Sequence, residues 1–473
     1  MSGPVNIDSR GYGKIYKAVM RNQALPLLAK TIYSYFCAYA GNGTKAFPKR
    51  DKIVRDLQMN KDTYTKHLNR LVADGYISKE RTNMIHVSVG NYLSVDFNVA
   101  SSYLSNGWAS YLAKEVKDIC NIPVITVSRI NEPHLANSII RTGKADFTAM
   151  GRASLCDPEL PQKAQEGRFE DIRRCIGCNH GCIGILFGDN PIRCVLNPTL
   201  GNESTCEIKP AKEVKKVAVI GAGPAGLEAA MSAKKAGHDV TVYEKAGRAG
   251  GQFYLAAIPP CKGEITDFIV WQTTQCKKLG IPIRYNTEAT VELMRSEKPD
   301  TIIVATGATP AKPPIKGIDG DNVVTANEIL DGKVFPGNNC VIIGGGQVGA
   351  ETANVLGHML RNVVVLEMLG EIAPEEAIGP RWQLLRDLKK RDVQLYTNTK
   401  VTEITENSVK AEGDGKMEFP ADTVVIATGS KPENRLADEL SKAGFAVKVI
   451  GDAKEVRLVL DATSEGYEAG RAI

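Results

Sequence analysis

The sequence predicts a multidomain α/β protein, and three observations carry that expectation. At 473 residues the chain exceeds what one ordinary core organises and corresponds to about three domains of roughly 150 residues each. Two glycine-rich strand–turn–helix patterns recur in its second half, at VAVIGAGPAG and CVIIGGGQVG. Charge is also split: residues 1–100 hold 15 Lys+Arg against 7 Asp+Glu, and the remainder sums to −3 of the net +5. The 43% hydrophobic and 24% charged fractions are those of a globular chain with a buried core.

The charge split points to nucleic acid as a partner of the N-terminal part alone. The opening MSGPVNIDSR has no apolar run, and no later stretch approaches 18 consecutive apolar residues, so neither a signal peptide nor a membrane span is expected. Eleven cysteines in a long chain without a signal read as reduced thiols or metal ligands, and the compartment expected is the cytoplasm.

Residues 24–40 (ALPLLAKTIYSYFCAYA) have apolar residues at helical spacing and stop at GNG. Two shorter helical segments follow, KRDKIVRDL (49–57) and KDTYTKHLNRLVADG (61–75), the second stopped by Gly75. YISKERTNMIHVSVGNYLSV then alternates like a hairpin. Helix, turn, helix and β wing predict a winged helix-turn-helix over residues 1–100, with Lys61, Lys66 and Arg70 on the helix that would enter the major groove of duplex DNA. The alternative is a small helical interaction module whose lysines are merely solvated. Nearly all of residues 11–80, from GYGKIYKAVMRNQALPLLAK to LVADGYI, resembles the N-terminal domain of phage and mobile-element replication initiators, which implies DNA binding.

From about residue 105 the texture changes. WASYLAKEVKDIC is amphipathic, IPVITVS is a buried-strand run, EPHLANSIIRTGK is helical, ADFTAMG is a second strand and DPELPQKAQEG a further helix. This strand–helix–strand–helix unit occupies 101–169. A cysteine-rich loop and linker fill 170–212, where Cys175, Cys178, Cys182 and Cys194 are spaced C-x2-C-x3-C-x11-C. Four thiolates hold either tetrahedral zinc or an iron–sulfur cluster. Zinc ribbons, however, usually pair two C-x2-C knuckles across a longer gap. His180 lies inside this loop, as filler or as a tuning group. Cys37, Cys120, Cys156, Cys206, Cys261, Cys276 and Cys340 read as small buried or idle thiols.

VAVIGAGPAGLEAAMSAKKAGHDVTVYEK places Gly221, Gly223 and Gly226 between a strand and a helix, with Glu244 at the end of the next strand. The first glycine permits a tight turn, the second lets backbone approach a pyrophosphate, the third allows close helix–strand packing, and the acid suits ribose hydroxyls. CVIIGGGQVGAETANVLGHMLRNVVVLE repeats the pattern with Gly344, Gly346, Gly349 and Glu367. A carboxylate there would repel a 2′-phosphate, so NADH is favoured over NADPH. Each half closes on an apolar strand and ATG, giving Thr306 and Gly307 in the first and Gly429 in the second. The arrangement suits an FAD domain (213–332, returning at 439–473) with an NAD(H) domain (333–438) inserted in it. Gly251, Gln252 and Asp452 are the remaining FAD contacts expected. Beside a flavin fold, a one-electron iron–sulfur centre makes chemical sense and zinc does not. Cys261 stands alone without a C-x4-C partner, which argues against a dithiol relay. Residues 213–473 resemble the flavoproteins with two dinucleotide-binding domains.

IPVITVSRINEPHLANSIIRTGKADFTAMGRASLCDPELP, then CIGCNHGC, then GAGPAG, resembles the C-terminal part of the 2,4-dienoyl-CoA reductase and trimethylamine dehydrogenase branch of the old yellow enzyme family, over about residues 105–473. The resemblance implies an oxidoreductase with FMN in a (β/α)8 barrel, a 4Fe–4S cluster, and a path from NADH through FAD, the cluster and FMN to an unsaturated carbonyl or acyl-CoA substrate. Carried over by motif, the four cysteines are the cluster ligands, and Gly151 with Arg152 forms the FMN-phosphate grip. Ser128 replaces the glycine usual in the preceding phosphate loop, which weakens that contact. No catalytic residue is assigned, because only the last two barrel strands, PVITVS and FTAMG, are expected, with the winged helix standing in place of the first six. Two strands cannot close a barrel, and their edges invite a partner chain or a second copy. The function expected is therefore the electron-input half of such a reductase, reaching FMN and substrate only if the barrel is completed. The alternative is a DNA-binding protein or redox-responsive regulator whose flavoprotein part is a sensor or an accidental fusion.

Overall fold

The computed structural model describes residues 5–7, 19–40, 45–46, 50–74, 77–79, 84–90, 95–186 and 190–473. The chain divides into two units, one of Met1–Val87, Ala113–Ile125 and Ala145–Phe147, the other of Ser88–Leu112, Thr126–Lys144 and Thr148–Ile473. Among the described residues no helix is long and apolar enough to cross a membrane.

In the first unit the helical spacing of apolar residues becomes a three-helix core. Helices Leu27–Ala40, Arg50–Asp56 and Lys61–Ala73 bury Ile32, Tyr33, Ile53, Tyr64, Leu68 and Leu71. The last helix starts where expected because the Asn60 side chain accepts from the Thr63 N–H at 2.7 Å. Tyr64, Leu68 and Leu71 then share one stripe, leaving Lys61, Lys66 and Arg70 on exposed positions. Strand Val5–Ile7 pairs antiparallel with Lys45–Ala46 and with Ile77–Lys79.

The hairpin expected after Gly75, which itself lies outside the described residues, is not what forms. Ile77–Lys79 pairs with Val5–Ile7, whereas Ile85–Val87 joins a three-stranded sheet beside Val124–Thr126 and Phe147–Thr148. The Ile85 N–H donates to Pro123 O at 2.9 Å and the Asp146 N–H to Val124 O at 2.8 Å. Alternation marks a segment as a strand but does not say what it pairs with. Among the described residues the barrel-like sheet therefore has three strands, not the two expected.

The second unit follows from runs of apolar residues buried on both sides, the mark of parallel sheets. Its first sheet has the order Val447–Val449, Thr301–Val304, Lys216–Ile220, Asp239–Tyr243, Ile283–Arg284, all parallel. The second has the order Val323–Thr325, Thr423–Ile426, Asn339–Ile343, Asn362–Leu366, Gln394–Tyr396, again all parallel. Because Val447–Val449 returns to the first sheet, the second is an insertion within it. A short antiparallel ribbon of Ala308–Pro310 and Ser430–Pro432 runs where the chain passes between them.

Candidate functional site

The two glycine loops are built alike. Gly221 and Gly344 sit at φ +105° and +102°, and a Cβ on either would strike the carbonyl oxygen of Ala305 or Ala427 at 2.3 or 2.5 Å. A Cβ on Gly226 or Gly349 would lie 2.0 Å from the oxygen of Gly221 or Gly344, so each helix rests directly on the turn below it. Gly223 and Gly346 are the N-caps of helices Pro224–Lys235 and Gln347–His358. A Cβ on Gly223 would meet nothing within 4 Å, which leaves open space in front of the helix N-terminus.

The two acids are held the same way. Glu244, buried, accepts from the Ala222 N–H at 2.8 Å and from the Ala246 N–H at 2.7 Å. Glu367, equally buried, accepts from Gly345 N–H at 2.6 Å and Leu369 N–H at 2.7 Å. Each carboxylate thus ties its own glycine loop to the end of the neighbouring strand, with one lone pair per oxygen left over.

The other expected contacts belong to both folds, Gly429 to the second and the rest to the first. Gly251 starts helix Gly251–Leu255 at φ +52°, and Gln252 Nε2 donates to Ala308 O at 3.2 Å. The Thr306 hydroxyl donates to Glu433 O, and Gly307 O accepts from the Glu433 N–H. Gly429, at φ +89°, accepts from the Ala311 N–H at 2.9 Å. Asp452 caps the Arg457 N–H at 3.2 Å, and burial pushes its carboxyl above the usual range.

Cys175, Cys178, Cys182 and Cys194 line one recess together with Arg152 and Asn179. Among the described residues no three metal-ligating side chains converge closely enough to hold a metal ion. A fifth thiol faces the same recess, for Cys156, read from the sequence as idle, is fully buried beside Cys194. The Cys156 hydrogen bond holds Cys194 down at about 6, whereas burial pushes Cys175 up to about 11 and raises Cys178 and Cys182 as well.

Arg152 follows Gly151, the first residue of helix Gly151–Cys156, and its guanidinium donates to Asn179 Oδ1 at 2.5 Å, against the cysteine loop. Ser128 adopts φ +100°, which explains why a glycine suits that position, and its hydroxyl is buried without a partner, as is that of Thr126. The Arg129 guanidinium beside it donates to Ser101 O, Leu104 O and Glu264.

Sequence patterns missed a second cluster. Glu376, its side chain 2% exposed, accepts from His180 Nε2 at 2.6 Å and Lys262 Nζ at 3.2 Å. Lys262 also pairs with Glu351, and Gln347 Nε2 donates to Glu351 at 3.0 Å and Glu376 at 2.9 Å. Burial pushes the Glu376 carboxyl up, but the His180 hydrogen bond and the Lys262 charge outweigh it and hold it at about 2. In the first unit Lys61 and Lys66 are exposed, and Arg70 pairs with Asp74 at 2.8 Å.

Comparison with known proteins sorts these parts. Residues 23–77 match a helix-turn-helix domain, residues 60–171 the NADH:flavin oxidoreductase / NADH oxidase family, and residues 215–454 the pyridine nucleotide-disulphide oxidoreductase family. An NADH oxidase of Thermoanaerobacter brockii is 42% identical over 395 residues, covering 82% of this chain and 61% of the relative. A metal reductase of Desulforamulus reducens is 36% identical, covering 83% of this chain and 64% of the relative. The solved complex of 2-naphthoyl-CoA reductase with 2-naphthoyl-CoA superposes with a TM-score of 0.80 at 33% identity, over 88% of this chain and 63% of that one. The chain thus spans about three fifths of the length of the relatives it matches. It is an oxidoreductase, and with half of its length in that pattern it belongs to the pyridine nucleotide-disulphide oxidoreductase family.

Proposed function

We propose that the chain is the electron-input part of an NADH-dependent flavin and iron–sulfur oxidoreductase. The observation that carries this reading is the duplicated clamp: two parallel folds, one inserted in the other, each with the same glycine turn and the same amide-held glutamate. The first would hold FAD through Gly221, Gly223, Gly226, Glu244, Gly251, Gln252, Thr306, Gly307 and Asp452. The inserted one would hold NADH through Gly344, Gly346, Gly349, Glu367 and Gly429. Open space before Gly223 and the positive end of its helix suit a pyrophosphate, while the free lone pairs of each glutamate suit ribose hydroxyls. The relatives named NADH oxidase and 2-naphthoyl-CoA reductase support redox chemistry at such a pair.

The cysteine recess fits a 4Fe–4S cluster in donor chemistry, since Cys175, Cys178, Cys182 and Cys194 offer four soft sulfurs lining one recess. When bound, FAD would accept a hydride from NADH and the cluster would carry electrons singly. The protein's own part is to orient the nucleotides, exclude water and gather the four sulfurs in one recess. Gly151, Arg152 and the unpartnered hydroxyls of Thr126 and Ser128 would contribute to an FMN-phosphate site once further strands complete the sheet. An unsaturated carbonyl or acyl-CoA substrate belongs to that completed assembly, with a partner chain or second copy supplying the strands.

Flavin released from the purified protein tests the reading directly: FAD without FMN, with NADH-driven reduction of ferricyanide, is the expected result. A colourless chain that ignores NADH overturns it. The helix-turn-helix match and the exposed Lys61 and Lys66 favour a second role, binding of duplex DNA by the first unit. Affinity that falls steeply with salt is expected of phosphate contacts, and salt-independent retention argues against them.

A further inference from the structure

We propose that Glu376 is a positioning residue that clamps the cysteine loop, through His180, to the glycine-motif helix of the inserted fold, through Gln347 and the Lys262–Glu351 pair. Each oxygen of its carboxylate has two partners. Oε1 accepts from His180 Nε2 at 2.6 Å and from the Ala377 N–H at 3.0 Å, and Oε2 from Lys262 Nζ at 3.2 Å and Gln347 Nε2 at 2.9 Å. Every lone pair is used, and the side chain is almost wholly out of water.

These donors arrive from separate parts of the chain. His180 stands between Cys178 and Cys182, Lys262 follows Cys261 beside the first fold, and Gln347 and Glu351 flank Gly349 on helix Gln347–His358. An apolar contact would hold the same elements but tolerate sliding. A carboxylate with four directional donors accepts a single register, the best-attested use of a buried ionic group. The accepting carboxylate also puts the hydrogen on His180 Nε2 and fixes the ring. His180 lies two residues from Cys178 and two from Cys182, so holding its ring holds the turn that carries both thiols. Glu351 lies two residues beyond Gly349, and the clamp therefore spans from the nucleotide-motif helix to the cysteine recess within one shell of contacts.

The functional meaning of the clamp rests on the cluster reading above, but its existence does not require iron. The test uses the full chain, free of iron, labelled with a maleimide and mapped by mass spectrometry. Glu376→Gln is expected to raise labelling of Cys178 and Cys182 about tenfold, the scale of losing one charge-assisted hydrogen bond, while buried Cys206 and Cys276 stay unchanged. His180→Ala should match it. His180→Gln, which keeps a donor for Glu376, should remain near wild type. Unchanged labelling in Glu376→Gln overturns the proposal, and so does a rise shared by Cys206 and Cys276, which marks global loosening. Failure of the wild-type chain to take up iron would sink the cluster reading alone, since the labelling needs none.

Discussion

Glu367 does structural work that any cofactor preference would share. Its carboxylate holds the Gly345 and Leu369 amides, and on the proposed reading its remaining lone pairs would meet the ribose of a bound NADH. Glu367→Gln removes the charge that would oppose a 2′-phosphate but also surrenders one amide acceptor, at a cost of about 1–3 kcal/mol for the orphaned N–H. The expected outcome is a weaker KM for NADH together with a several-fold higher NADPH-to-NADH ratio in ferricyanide reduction. An unchanged ratio would remove Glu367 from cofactor choice. Glu376 makes a different prediction. Its carboxyl sits at about 2, below the ordinary 4.5, so its contribution to stability is full above pH 4.5 and is lost as pH falls toward 2. Chemical denaturation across that window should show a shallower acid decline in Glu376→Gln than in wild type. Both glutamates were present in the sequence as charges, but only Glu367 was legible, because it ends a strand at a fixed distance from a glycine turn. Glu376, Glu351 and Lys262 carry no local pattern, and three separate segments bring them together.

At the level of the element, the glycine loops separate folding from binding. A Cβ on Gly226 would sit 2.0 Å from Gly221 O, backbone against backbone, with nothing flexible to yield. Gly226→Ala should therefore cost about 1–3 kcal/mol or more of stability and release FAD as a consequence. Gly223 has an ordinary φ of −76° and open space where its Cβ would point. Gly223→Ala should melt like wild type yet retain markedly less flavin, because the methyl group enters the path of a pyrophosphate. Thermal melts beside released-flavin measurements decide between these outcomes, and equal losses in both variants would contradict the geometry. These loops were readable because a glycine turn, a helix start and an acid repeat at short range. The MIHVS strand was not, since its alternation is the same whether it folds back locally or joins Val124–Thr126. Cys156 escaped for a related reason: its place beside Cys194 comes from tertiary packing, not from spacing along the chain.

For the whole molecule, what matters is which part of its relatives' length the chain spans. Three strands, Ile85–Val87, Val124–Thr126 and Phe147–Thr148, cannot close a barrel at any tilt, and Phe147 and Ile119 remain exposed in that unit. The relatives extend well beyond the matched region, over the remaining two fifths of their length. The two five-stranded parallel sheets, by contrast, each have a core of their own. The two activities should therefore separate. NADH-dependent ferricyanide reduction needs only the paired folds and should persist in the isolated chain, whereas an α,β-unsaturated thioester should not accelerate NADH oxidation even with FMN supplied. Adding a protein that carries the first barrel strands would be expected to restore both FMN retention and thioester turnover. Thioester turnover by the isolated chain would mean that three strands suffice to place flavin and substrate, and the division into an input part and a missing outlet would have to be abandoned.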